Sequence, residues 1–423
     1  MKPENLPEKL IWYYILSTYL IFLCGAQYLT ASALAIVLFV YLIQQCRNEQ
    51  KTELPSQKRL KISLSHWIWL IAVLVIEFSL IMGHLDYDLG MTKIIKSTLN
   101  WQRTWGIMAL FPLAGCLKIR PQIIYRAICI LCLQSLLLLP VAYLIGILNL
   151  PDLYVSPLKV LGGGDIYYTV NSLAALEEAT GQIRLSLFTP WAPALGVIGN
   201  IYFLLAQQER ERKWRYIGMI GSVAMIISSV SRLAILCLPF VLIVVWLTRN
   251  ILKPWVQFTA SGICFVLGIF SSQVIEFLQD VKQTIEQARA DSTRVRSALQ
   301  RMAIYRWSTE APLWGHGIIE PKGPRVVAFM PIGSHHTWFG LLYTHGIVGC
   351  AAIAVALSWS VIVLVSKAQN SAVGQAALGV MLVLLVFTLG ENINSLAYLY
   401  WPALIIVGIA FNQPQPVRAK VES

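Results

Sequence analysis

Apolar residues run through this chain in long uninterrupted blocks. Runs of about 18–25 residues recur from end to end, each long enough to cross the hydrocarbon core of a bilayer as a helix. They predict about twelve spans, near 10–27, 29–46, 63–83, 100–117, 123–147, 188–206, 216–231, 233–248, 255–275, 338–365, 371–389 and 396–412. The expected fold is all-α and polytopic, a single transmembrane domain over 1–423. No small-residue cleavage site follows the first apolar core, so that run reads as a span and not as a leader. The tail Asn412–Ser423, with Pro414 and Pro416, reads as a short disordered end.

Two connections are much longer than the rest, 148–187 and 276–337. In the second, Ile285, Ala288, Val295, Leu299 and Met302 recur at helical spacing, with Arg289, Arg294, Arg296, Arg301 and Arg306 interleaved. This predicts one or two amphipathic helices near the membrane surface. A turn follows at Pro312-Leu-Trp-Gly-His-Gly317, where Gly315 and Gly317 let backbone approach another segment closely.

Charge orders the spans. The short connections Arg47–Lys61, Lys118–Arg126, Glu209–Arg215, Arg249–Lys253 and Lys367 hold most of the short-loop positive charge and alternate with loops poorer in it. The positive-inside rule therefore puts both termini in the cytoplasm and both long segments on the far side. The second long segment carries eight Lys/Arg and six Asp/Glu. That composition is compatible with crossing, because long loops translocate largely regardless of charge.

Composition excludes the soluble classes. The chain of 423 residues is 57% hydrophobic and only 13% charged, against roughly 25% charged in soluble domains. Its net charge of +12 is scattered among short loops, which favours a membrane protein over a nucleic-acid binder. The eight cysteines all lie in or beside apolar runs and neither long segment contains one, so disulfides are not expected. Cys129 and Cys132 share one face of an apolar helix, which reads as core packing.

Four basic residues stand where chemistry is plausible. Arg184 precedes a span, Arg232 lies between two apolar runs in SSVSRLAIL, and His335–His336 stand just before the run that opens at Trp338. An arginine inside a span costs about 2.5–3.5 kcal/mol, less near the interface, and a snorkelling helix-end arginine is the plain alternative. The functional alternative is an anion site, since guanidinium is a permanently charged planar fork suited to phosphate oxygens. Neutral imidazole is a competent general base near neutral pH, and neighbouring arginines keep it neutral. His345 reads as a packed helix residue and His316 as a loop residue. A metal site is not supported: adjacent histidines cannot share a helix face, and no carboxylate pair accompanies them. Asp86-Tyr87-Asp88 imitates an acidic metal motif, but two acids in a short turn more often face solvent.

These residues, in this order, resemble the O-antigen ligase and polymerase superfamily. His335 to Gly346 and Gly349, with Trp338–Leu342 between, resembles its H-N-x-x-L…G-x-x-G element, with His336 replacing the usual Asn. Ser231–Arg232 resembles its Ser-Arg between two spans, and Arg184-Leu-Ser-Leu-Phe its Arg-x-x-x-Phe. Arg296 through Gly317 resembles the arginine-to-PLxGxG segment before the histidine. The resemblance implies an all-helical lipid-sugar glycosyltransferase of the GT-C-like type, in the bacterial inner membrane with its active site facing the periplasm. It implies an undecaprenyl-diphosphate-linked O-antigen donor, a lipid A–core acceptor, membrane lipids as surroundings, no nucleic acid, and no metal or other cofactor. The catalytic place falls on His335 (alternate His336), the diphosphate on Arg184 and Arg232. Arg289, Arg294, Arg296, Arg301 and Arg306 are candidate contacts to donor or acceptor phosphates. The ligase branch is the expected one, because the chain lacks the large extra C-terminal domain often found in the protein-glycosylating branch. The alternatives are a polymerase that extends the lipid-linked glycan and, in another class, a transporter or flippase of such lipids. The transporter would show inverted repeats with broken helices at matching positions.

Overall fold

The structure is a computed structural model that describes residues 2–51, 60–177, 181–251, 253–273, 275–276, 279–280, 290–320, 322–327 and 329–414. Arg289, Ile285 and Ala288 and the tail from 415 onward lie outside the described residues.

The helices follow the apolar runs. In chain order they are α1 (Leu6–Leu16), α2 (Thr18–Leu23), α3 (Gln27–Lys51), α4 (Leu64–Asp86), α5 (Met91–Trp101), α6 (Ile107–Ala114) and α7 (Pro121–Ile147). Then come α8 (Ala192–Ala206), α9 (Arg212–Ser228), α10 (Arg232–Asn250), α11 (Pro254–Ile269), α12 (Ala290–Glu310), α13 (Thr337–Ala368), α14 (Ala372–Phe387) and α15 (Ala397–Asn412). Among the described residues, six apolar helical segments are long enough to cross a membrane: α3, α4, α7, α10, α13 and the stretch Ile393–Asn412 that includes α15. The helices α8, α11 and α14 are apolar but shorter. The expected span near 10–27 is broken at Ser17, and that near 100–117 is built from the end of α5, one π-helical turn at Gln102–Gly106, and α6.

The centre of the bundle is α15, whose side chains from Ala397 to Phe411 are almost all buried. Close packing is set by small residues: a Cβ on Gly115 would strike the backbone of Gly408 and Ile409, which brings α6 and α15 together. Polar pairs collect at one end of the bundle. Arg120 binds Glu8 there (2.7 Å), and Arg126 binds Glu209 (3.0 Å) and Glu211 (2.7 Å).

The opposite end carries the two long segments. The segment 148–187 is not featureless: it folds into two small antiparallel hairpins, β1 (Tyr154–Val155) with β2 (Thr169–Val170), and β3 (Ala174–Glu177) with β4 (Gln182–Leu185). Gly146 near the end of α7 lies under Ala174 and Ile183, so the second hairpin seats directly on that helix. In the other segment, α12 presents Val295, Leu299, Met302 and Ala303 to Tyr343 and Phe339 of α13 and to Val327 and Ile332. Its apolar stripe covers protein, in a small core of its own.

Candidate active site

The run that opens at Trp338 is not one straight helix. Gly346 has φ +60° and ψ −166°, a conformation that only glycine adopts readily, and it breaks α13 after His345. A break of this kind orphans carbonyls on one side and N–H groups on the other, and each unsatisfied group inside a membrane protein costs several kcal/mol. The Pro312–Gly317 turn satisfies both sides. Ile347 and Val348 donate to the carbonyls of Pro312 (3.0 Å) and Leu313 (3.4 Å), while the N–H groups of His316 and Gly317 donate to Tyr343 (2.8 Å) and Thr344 (2.9 Å). The Ser79 hydroxyl of α4 reaches the carbonyls of His345 (2.5 Å) and Trp314 (3.1 Å) from the third side. The His316 ring lies between Tyr87 and Tyr343 and bridges the Tyr343 carbonyl and the Glu310 carboxylate (3.0 and 2.8 Å).

The outer turn of α13 is clasped from the α14–α15 connection. The Thr337 N–H donates to the Thr388 carbonyl (3.1 Å), and its hydroxyl donates to that of Glu391 (2.6 Å) while accepting from the Ile393 N–H (3.1 Å). The Trp338 indole donates to the Thr388 hydroxyl (3.0 Å). This clasp fixes the two residues just before Thr337.

The two histidines face different surroundings. His335 has φ +62°, a left-handed conformation that costs a non-glycine residue energy and is often retained at functional sites. It is half-buried, and both burial and the Arg296 guanidinium hold its pKa below the usual histidine value. His336 is buried against Phe339, with ring centroids 4.2 Å apart, and burial lowers its pKa to about 4. Its Nδ1 is enclosed without a hydrogen-bond partner among the described residues.

Arg184 is joined to the turn that leads to Arg232. Arg184 lies on β4, where it is a diagonal neighbour of Glu177 on the paired strand and binds that carboxylate at 3.2 Å. Its Nε donates to the carbonyl of Ser229 (3.2 Å), in the turn that delivers Arg232 to the start of α10 three residues later. Val230, with φ +49°, tightens that turn, and the Ser231 hydroxyl caps α10. Arg232 is exposed, while Arg184 borders a cavity of about 620 Å³ that Trp191, Asn171 and Glu177 also line.

One acidic residue, not anticipated from sequence, ties these parts together. Glu391 is 5% exposed and accepts a hydrogen bond from the Trp191 side chain. Burial pushes its pKa up to about 7 against the opposing pull of Arg296 and Arg184. Its main-chain carbonyl is the one that holds Thr337. A single buried carboxylate thus feels one arginine that also acts on His335 and another that contacts the turn before Arg232.

The remaining arginines of α12 divide. Arg296 points into this cluster. Arg306 is engaged by Glu310 (2.9 Å), by Glu320 and by the Tyr343 ring (5.5 Å), so it fastens α12 to α13. Arg294 and Arg301 are exposed. Among the described residues, no group of three or more His, Cys, Asp or Glu side chains gathers as metal ligands would.

Residues 217–354, about a third of the chain, are similar to the family described as O-antigen ligase. The matched stretch holds Arg232, Arg296, the Pro312–Gly317 turn, His335 and the break at Gly346. Arg184 and Glu391 lie outside it, before and after. The search of curated proteins returns no match.

Proposed function

We propose that this protein is an O-antigen ligase, a glycosyltransferase of the bacterial inner membrane. It moves a glycan from undecaprenyl diphosphate to a sugar hydroxyl of lipid A–core. The observation that carries the reading is a half-buried histidine kept neutral by burial and by Arg296, which acts together with Arg184 on the buried Glu391, while Arg184 also holds the turn that leads to Arg232. A base and an anion site side by side suit the transfer of a group from a diphosphate.

In this reading Arg184 and Arg232 hold the diphosphate and stabilise the charge that builds on it as it leaves. The guanidinium fork binds two phosphate oxygens at once, as an ammonium group cannot. His335 accepts the proton of the acceptor hydroxyl. That oxygen forms its bond to the anomeric carbon from the side opposite the diphosphate. The bond from carbon to diphosphate oxygen breaks, its electron pair stays on the diphosphate, and the anomeric configuration inverts. The arginines supply the electrostatics for which other sugar transferases use a divalent cation. The hairpin end of the bundle faces the periplasm, and both termini face the cytoplasm.

The test uses the purified full chain in detergent with undecaprenyl-diphosphate oligosaccharide and lipid A–core. Formation of a glycosylated core with excess chelator present supports the ligase. Elongation of the lipid-linked glycan in place of core glycosylation would identify a polymerase, and absence of any covalent product would point to a transporter.

A further inference from the structure

A second cavity, of about 320 Å³, borders the His335 loop and falls within the roughly 300–1,000 Å³ usual for small-ligand sites. Its walls come from α5 and the π-helical turn, from the first two turns of α13, and from Asn392 and Asn394. Gly333 and Thr337, two residues before and two after His335, both border it. Glu391 and Asn392 are neighbours in the chain and serve different cavities: Glu391 bonds Trp191 at the Arg184 cavity, and Asn392 lines this one.

The lining has a consistent chemistry. Hydroxyls of Ser97, Thr104 and Thr344 and the amides of Asn100, Asn392 and Asn394 stand beside the indoles of Trp101 and Trp105. Among the described residues, no carboxylate lines it and Lys96 is the one cation that does. Two lining side chains hold enclosed polar atoms with no hydrogen-bond partner among the described residues, His345 Nε2 and Asn392 Oδ1. Buried polar groups in folded proteins are nearly always paired, so these two side chains add polar capacity to the cavity wall. Several lining groups are already oriented. The Tyr28 hydroxyl holds Asn100 Oδ1 (2.6 Å), which leaves its amide NH₂ to donate, and Ser97 is set by His84 (3.0 Å).

We propose that this cavity binds the acceptor saccharide, a polyhydroxylated ring whose reacting hydroxyl points across the Gly333–Thr337 loop toward His335. This rests on the transferase reading. Neutral amides and hydroxyls next to indole faces suit sugar hydroxyls and C–H faces. A single lysine suits one phosphate or acidic sugar on the acceptor and is a poor match for a diphosphate. A polyprenyl tail would leave the polar lining unpaired. With the diphosphate at Arg184 and the acceptor here, the two substrates occupy separate cavities joined through the neighbouring residues Glu391 and Asn392.

The experiment measures binding and turnover separately. Delipidated core oligosaccharide and a free O-antigen repeat-unit oligosaccharide are tested against the full chain by saturation-transfer NMR without donor. At least one should bind, binding should vanish when Asn394→Trp fills the cavity, and it should persist in Arg184→Ala. In initial-rate assays the milder Lys96→Ala and Asn394→Ala should raise the acceptor KM about tenfold, a change of about 1.4 kcal/mol, with donor KM unchanged. Lys96 is exposed, so its loss does not endanger folding. Neither saccharide binding, unaltered binding in a folded Asn394→Trp protein, or a shift of donor KM instead would overturn the assignment. Saccharide binding that Asn394→Trp abolishes, with no transfer by the wild type, would leave the cavity standing and remove the transferase reading.

Discussion

Leu313 places its carbonyl oxygen in the volume that a Cβ on Gly346 would occupy. The turn that follows α12 in the long second segment is in this way built into a break in a membrane helix. Gly315 approaches the backbone of His345 and Gly346 just as closely, and Gly83 on α4 meets Gly315 and Gly317. The glycines of three separate sequence elements therefore form one junction, and that junction fixes the depth and angle of the half-helix that follows His345.

Gly346→Ala should destabilise the protein severely. The new methyl meets the Leu313 carbonyl, and the backbone sits where L-residues are strained. Overpacking and strain together cost roughly 2–6 kcal/mol. Gly262 and Gly268 on α11 have nothing within 4 Å of an added Cβ. Thermal unfolding in detergent should show Gly346→Ala far below wild type and Gly262→Ala unchanged or slightly raised. Equal melting temperatures for both variants would mean that the junction does not hold the fold.

Hydropathy made the spans legible, because burying a membrane helix demands long apolar runs whatever the tertiary fold. It could not show the break at Gly346: a glycine inside TWFGLLYTHGIVG is tolerated in a helix, and the turn that fills the gap lies some thirty residues away. The hairpins of 148–187 were hidden because strands of two to four residues give no usable alternation. The ion pair between Arg306 and Glu310 is readable in principle from its i,i+4 spacing, and it takes that arginine out of the candidate phosphate contacts. Glu391 gives no signal in the sequence, since its meaning depends on Arg184 and Arg296, each about a hundred or more residues distant. The meeting of Arg184 with the turn before Arg232 likewise needs a tertiary contact.

The two histidines should differ in their effect. His335→Asn keeps a residue that tolerates the left-handed backbone and removes the base, so transfer should fall by about 10²–10⁴-fold while donor binding persists. His336→Asn disturbs packing against Phe339 and should lower stability more than turnover per folded molecule. Rates normalised to folded protein, with donor binding measured separately, decide between them. A dead His336→Asn beside an active His335→Asn would move the base by one residue.

Arg232→Lys keeps the charge and loses the fork. If both oxygens of a phosphate are held, transfer should drop by roughly 10²–10³-fold, as for the loss of one strong transition-state donor. Full activity in Arg232→Ala would show that the side chain merely reaches toward the interface.

Acidic pH should be tolerated down to an unusually low value. The pKa of His335 is lowered by burial and by Arg296, so the imidazole stays neutral, and competent as a base, below the ordinary histidine range. In Arg296→Gln one of the two causes is removed and the pKa rises. The acid limb of the rate profile should then move to higher pH, by less than the whole displacement because burial remains. An unmoved limb would separate Arg296 from the base.

Donor affinity should weaken as pH rises through about 7. Burial holds the Glu391 pKa near that value, so below it the carboxyl is neutral and above it an anion stands beside Arg184 and Arg296. An arriving diphosphate is repelled by that anion and competes with it for the Arg184 guanidinium. Binding therefore favours the protonated form, and by linkage the bound donor draws a proton onto Glu391. Glu391→Gln mimics the neutral state and keeps the Thr337 clasp, which uses the main-chain carbonyl. The variant should bind undecaprenyl diphosphate at pH 8 as tightly as the wild type does at pH 6, with the pH dependence flattened. Titrations of both proteins at the two pH values measure this directly. A wild-type affinity that is constant from pH 6 to 8, or a variant that still weakens with rising pH, would show that Glu391 does not control occupancy of the anion site.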